Sequence, residues 1–165
     1  MKKLLAITFI TILALLITSV VVLAKPGNGP NIIKCDQYIA VYLSDGDDAH
    51  WRGTLTNCEL DGASVHYYGI DTNRISKGMS THFAENFVIY PNGDNHPEIF
   101  IKGSEEGLWN LNTFKFRSEG RVTEANGPWS YLVGYKFHEM GVTDDPFAPN
   151  WTILKGPSTM FLAGP

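Results

Sequence analysis

The chain has 165 residues, of which 44% are hydrophobic, 18% charged and 12% aromatic, with two Cys and a formal charge of −4. That fits one domain. Low charge with high aromatic content excludes a disordered chain, two cysteines exclude a disulfide-dense mini-protein, and the lack of a basic excess leaves no electrostatic footprint for nucleic acid.

Lys2 and Lys3 precede an uncharged, mostly apolar run at residues 4–24 that ends in Val22-Leu23-Ala24. A positive start, an apolar core and a small residue at Ala24 with Val22 two positions earlier predict an export signal. The run is also long enough, at about 1.5 Å per helical residue, to stay uncleaved as an anchor across a bilayer of roughly 30 Å. Either way the lysines hold the N-terminus in the cytoplasm and the rest of the chain is expected outside it. The expected organisation is therefore 1–24 as signal peptide or anchor, 25–34 as a Pro/Gly spacer and 35–165 as the folded domain, mildly acidic once Lys2 and Lys3 are gone.

Beyond residue 35, Gly recurs too often for long helices, and the segments between glycines are rich in Val, Ile, Thr, Tyr, Phe and Trp. Strands are predicted at 37–43, 50–58, 64–70, 82–90, 98–103, 110–117, 121–125, 129–140 and 151–162, with one short helical turn allowed in 71–81. Eight or nine short strands make an all-β single antiparallel barrel of about eight strands, with a β-sandwich as the alternative. If the first two strands pair around 44–49, Cys35 falls opposite Cys58, Tyr38 opposite Leu55, Ala40 opposite Gly53 and Tyr42 opposite Trp51. Export and that register predict a Cys35–Cys58 disulfide. Ser118-Glu119-Gly120 reads as a hairpin turn, and Gly134 as a bend within a long strand.

Phe114-Lys-Phe, Gly120-Arg-Val122, Asn126-Gly-Pro-Trp129 and Tyr131-Leu-Val-Gly134, within residues 99–141, resemble the strand, turn and Gly pattern of allene oxide cyclase and dirigent-like barrels. The resemblance implies an eight-stranded antiparallel barrel with an apolar interior, and no catalytic motif transfers with it. Fold analogy does not license a reaction.

Motifs for chemistry are sparse. No G-x-S-x-G occurs, His138-Glu139 has no second His behind it, and both cysteines are committed to a bridge, so serine hydrolase, zinc protease and thiol enzyme lack support. His50, His66, His82 and His96 share no ligand spacing and are read as structural. Asp45, Asp47 and Asp48 form an acidic turn that is either solvated or a weak calcium site, the one cofactor considered. Asp144-Asp145-Pro146 has the same ambiguity, with a stronger bias to a turn. Asn150 heads the one N-x-S/T sequon.

Four Trp, seven Tyr and nine Phe are the remaining handle. Core packing accounts for them, or else inward aromatics line an apolar cavity: Tyr38, Tyr42, Trp51, Leu55, Tyr131, Tyr135 and Phe137 are the candidate lining. The expected function is an exported, non-enzymatic β-barrel that binds an apolar small molecule or acts as an envelope interaction module. The alternatives are a carbohydrate-binding sandwich with tryptophans stacked on a glycan, or a cyclase- or isomerase-type barrel enzyme. Nucleic acid is not an expected partner, and membrane contact is expected only through residues 4–24. For an enzyme, Glu139 is the acid of interest, since it shares a face with Tyr135 and Phe137.

Overall fold

The structure, a computed structural model, describes residues 31–43, 48–71, 80–143 and 155–164. Eight antiparallel strands follow one another around a closed barrel: β1 (Ile32–Leu43), β2 (Asp48–Thr56), β3 (Ser64–Asp71), β4 (Ser80–Tyr90), β5 (Ile101–Asn110), β6 (Lys115–Ala125), β7 (Lys136–Val142) and β8 (Lys155–Ala163). β8 pairs back onto β1, so none of the described strands is left as an edge. A short 3-10 helix, Gly127–Leu132, joins β6 to β7. Alternation sets the two faces: in β1, Ile33, Cys35, Gln37 and Ile39 are buried while Ile32, Lys34, Asp36 and Tyr38 are exposed.

The end of the barrel that carries the β2–β3, β4–β5 and β6–β7 connections is filled with apolar side chains. Leu60, Ala63 and Leu132 come in from those connections and meet Ile33, Val65 and Phe137 from the strands, all at most 2% exposed. Phe87 stacks on Phe137 with ring centroids 4.3 Å apart. Each such side chain contributes about 1.5–3 kcal/mol on leaving water, so this floor is the main source of the fold's stability. The Cys35–Cys58 disulfide lies in the same cluster, with Cα atoms 5.0 Å apart. Near the other end a smaller cluster joins Ile39 to Trp51, Trp109 and Phe116.

Four sequence expectations need correction. The β1–β2 register pairs Gln37 with Leu55 and Tyr38 with Thr54, one residue away from the ladder that would put Cys35 opposite Cys58. The bridge forms because the chain leaves β2 and turns at Asn57 (φ 59°), which swings Cys58 back toward Cys35. A one-residue slip reverses a strand's faces, so Tyr38 stands outside at 52% exposure and Gln37 points in. Second, no hairpin interrupts 118–120: β6 runs straight through, and Gly120 marks a close strand approach rather than a turn. Third, the strands expected at 98–103 and 110–117 are displaced: β5 runs unbroken from Ile101 through Gly103 and Gly107 to Asn110, and residues 111–114 form the turn into β6. Fourth, 129–140 is not one strand; Pro128 suits the first turn of the 3-10 helix, and Gly134 turns the chain at φ +90° just before β7. β1 also starts at Ile32, so Ile33, inside the expected spacer, is a core residue.

Candidate functional site

The site begins with an alternation that delivers acids, not only apolar groups, to the barrel interior. The inward positions of β5 read Ile101, Gly103, Glu105, Gly107 and Trp109; those of β7 include Phe137 and Glu139, and those of β4 include Glu85 and Phe87. Glu85 and Glu105 are direct cross-strand partners. Glu139 lies opposite Ser118 on β6 and Met160 on β8, and Ser158 lies opposite Gln37 on β1. Together these residues form a polar belt around mid-barrel, above the apolar floor.

Glycine makes the belt possible. A Cβ on Gly69 would come within 2.8 Å of Glu85 Cγ and Oε1, and one on Gly120 within 2.8 Å of Glu105 Cβ. Glu85 and Glu105 thus lean on neighbouring strands where a side chain is missing. Gln37 rests on Gly53, and Ser158 on Gly141, in the same way.

Glu105 and Glu139 are each 3% exposed, Ser118 3% and Ser158 6%; Glu85 is partly buried. Tyr67 is fully enclosed and exchanges hydrogen bonds with Gln37: Gln37 Nε2 donates to Tyr67 Oη at 3.0 Å, or Tyr67 Oη donates to Gln37 Oε1 at 3.1 Å. Among the described residues, both oxygens of Glu105, Oε1 of Glu139 and the hydroxyls of Ser118 and Ser158 have no hydrogen-bond partner. Ser118 approaches Glu105, and Ser158 approaches Glu139, closely enough to favour the ionised carboxyl without reaching hydrogen-bond geometry.

Burial dominates the electrostatics. It pushes Glu85 up to about 8, with the charge of Glu139 adding to the rise. It pushes Glu139 up to about 7, against the pull of Tyr67 and Ser158. Glu105 is raised well above the ordinary carboxyl range, first by burial and then by Glu139 and Glu85. Near neutral pH the belt therefore holds protons that carboxyls in water would have lost.

The sequence candidates scatter relative to this belt. Trp51 and Leu55 point inward, Trp51 meeting Trp109 edge to face at 6.0 Å with its buried Nε1 unpartnered. Tyr135 and Phe137 belong to the apolar floor, and Tyr131 packs against it. Tyr38 lies outside the barrel. Tyr42 and Asp48 lie in β1 and β2 with side chains outside the described residues, as do Asp45, Asp47, Asn150, residues 1–24, the 72–79 connection and the Asp144-Asp145 turn. Trp51, Trp109 and Trp129 are all partly buried. Glu139 is inside, as its shared face with Phe137 suggested. Glu85 and Glu105 were missed; for Glu105 the signal is an acid at the inward parity of a strand with glycine two residues away, as in Gly103-Ser-Glu105-Glu-Gly107, whereas Glu85 is flanked by Phe83 and Phe87 and its glycine, Gly69, lies on the neighbouring strand.

A second polar cluster lies on the outer face of β2 and β3. Asp94 accepts hydrogen bonds from Ser64, Arg52 and His66 Nε2, the last at 2.8 Å, and His66 Nδ1 lies 3.0 Å from His50 Nε2. With His66 donating to Asp94, its Nδ1 is left to accept from His50. Burial raises Asp94, but the bonds from Ser64 and His66 and the charges of His66 and Arg52 outweigh it and hold the carboxyl below its ordinary value. The two histidines read as unrelated in sequence are thus tied into one network. Along the β4–β7 wall a space of about 1020 Å³ is bordered by outward His82, Glu106 and Arg117 as well as inward Glu105 and Glu139. Its lining takes in both faces of a wall thinned at Gly107 and Gly120, so that volume does not measure the interior. No family model matches the chain, and neither a curated protein nor a solved structure is similar to it.

Proposed function

We propose that the protein is an exported small-molecule-binding barrel whose ligand occupies the interior, setting an apolar body against the aromatic residues and hydrogen-bonding groups against the belt. One observation carries this reading: buried carboxyl and hydroxyl oxygens of Glu105, Glu139, Ser118 and Ser158 converge on the barrel interior without partners. Each such group costs about 1–3 kcal/mol, and apolar replacements of similar volume would remove the cost. A ligand that supplies the missing hydrogen bonds gives the expense a purpose. The disulfide fits an oxidising, extracytoplasmic compartment, and residues 1–24 supply the export signal or anchor. Native mass spectrometry of the full-length chain isolated from its own source tests the reading. A small molecule released on unfolding is expected; apoprotein mass alone, with no response of tryptophan fluorescence to the neutral apolar dye N-phenyl-1-naphthylamine, would overturn it.

A second reading, proton-transfer catalysis of the cyclase or isomerase type, is favoured by one feature. Glu139, held near neutrality beside the Tyr67 hydroxyl, suits a group that both gives and takes a proton at neutral pH. It predicts a Glu139→Gln variant that still binds the molecule found with the protein but no longer converts it; a native complex that never turns over would exclude it.

A further inference from the structure

We infer that the interior is built for an organic cation, a protonated amine on an apolar body, held by Glu85, Glu105 and Glu139 with Ser118 and Ser158 as further acceptors. The inference rests on the ligand-binding reading above and gives its ligand a chemical class. The first argument is the balance of charge. Among the side chains the structure describes, three acids take inward positions, whereas every described Lys, Arg and His of the strands falls on the outward parity. No described base is there to neutralise the acids from within.

The second argument is the chemistry of the orphaned atoms. Five buried, unpartnered atoms of the belt, Glu105 Oε1 and Oε2, Glu139 Oε1, Ser118 Oγ and Ser158 Oγ, are all oxygens, contributed by four consecutive strands. Protonated carboxyls can donate one hydrogen bond each, but the set as a whole is rich in acceptors. A primary ammonium brings three N–H donors and a positive charge to such a set. A bare metal ion fits less well, because no three carboxyl or imidazole groups among the described residues come close enough to share one. The aromatic faces of Trp51, Trp109 and Phe116 lie toward one end of the barrel, and such faces also attract a cation.

Binding would exchange a proton for the cation: a belt COOH becomes COO⁻ facing the ammonium, and its proton goes to solvent. The titratable groups that face one another there are Glu85, Glu105, Glu139 and Tyr67, with Gln37, Ser118 and Ser158 as neutral neighbours. Affinity for the cation should therefore rise with pH across the neutral range.

Calorimetry on the full-length chain with three probes of one body, phenethylammonium, 2-phenylethanol and phenylacetate, tests this at pH 6 and pH 8 in buffers of different ionisation enthalpy. Phenethylammonium is expected to bind about tenfold or more tightly than the alcohol at pH 8, to lose most of that advantage at pH 6, and to release about one proton. The double variant Glu105→Gln, Glu139→Gln should lose the preference and keep the alcohol; Glu85→Gln offers the same comparison if the double variant fails to fold. Equal binding of ammonium and alcohol, a preference for phenylacetate, or no binding of any probe would overturn the inference. In each of those cases saturable uptake of N-phenyl-1-naphthylamine would leave the ligand-binding reading standing, and absence of uptake would remove both.

Discussion

The floor and the belt of this barrel stand on the same eight strands only a few residues apart, yet they obey opposite rules. At the floor, Phe87, Phe137, Leu132 and Ile33 fill space completely and need no partner beyond one another. In the belt, Glu105 and Glu139 sit in space of similar burial, yet both oxygens of Glu105 and Oε1 of Glu139 have no hydrogen-bond partner among the described residues. A barrel selected for stability alone would extend the floor upward; this one stops it at mid-height. The difference separates what holds the fold from what the fold is for, and substitutions in the two regions should move stability in opposite directions.

The largest effect is expected at the floor. Phe137→Ala removes a ring stacked on Phe87 and leaves a cavity among rigid strands, which should cost about 3–5 kcal/mol and be read directly as a lower denaturation midpoint. Next comes the bridge: its ends being 23 positions apart in sequence, Cys35→Ser with Cys58→Ser should cost about 3 kcal/mol and lower Tm by several degrees, with the circular dichroism spectrum unchanged.

The belt should respond with the other sign. Glu85 and Glu139 have folded pKa values near 8 and 7, above the unfolded value, so the folded chain binds more protons than the unfolded one across that range. Their contribution is complete below about pH 4.5 and is lost as pH rises through 7 and 8. Tm of the ligand-free protein should fall between pH 5 and pH 8, while the Glu105→Gln, Glu139→Gln variant shows a flatter profile and a higher Tm at pH 8. A wild-type Tm that rises over this interval would erase the distinction between floor and belt.

The smallest effect is expected outside. Asp94→Asn weakens the contacts to Ser64, His66 and Arg52 on a partly exposed surface, and about 1 kcal/mol or less should be lost. The lowered Asp94 value makes that contribution fully present above the ordinary carboxyl pKa and lost as pH falls below it through the lowered folded value, the reverse of the belt's profile.

Much of the floor was legible in the sequence. Short β-rich segments separated by glycines gave an antiparallel barrel, and the compartment with the cysteine count gave the bridge. Register was not legible, because placing Cys58 opposite Cys35 requires it to belong to the β2 ladder, whereas β2 ends at Thr56 and a left-handed Asn57 carries Cys58 beyond it. That slip put Tyr38 inside and hid Gln37. The belt was harder to see because a run such as Gly103-Ser-Glu-Glu-Gly107 has the composition of a turn, and Glu85 has its glycine only on the neighbouring strand. Only the pairing of strands shows that Gly69 and Gly120 are sockets for Glu85 and Glu105. The implied apolar interior consequently holds for the floor and fails at mid-height.

The central claim is that the belt carboxyls keep their protons at neutral pH until a ligand replaces them. Carbon-13 NMR titration of the glutamate side-chain carboxyls in the ligand-free protein measures this directly. The account predicts that Glu139 and Glu85 titrate near 7 and 8, with the assignments removed one at a time by Glu→Gln substitution. If every glutamate instead titrates at about 4 to 5, as in open water, the belt is not a store of buried protons and the account is contradicted.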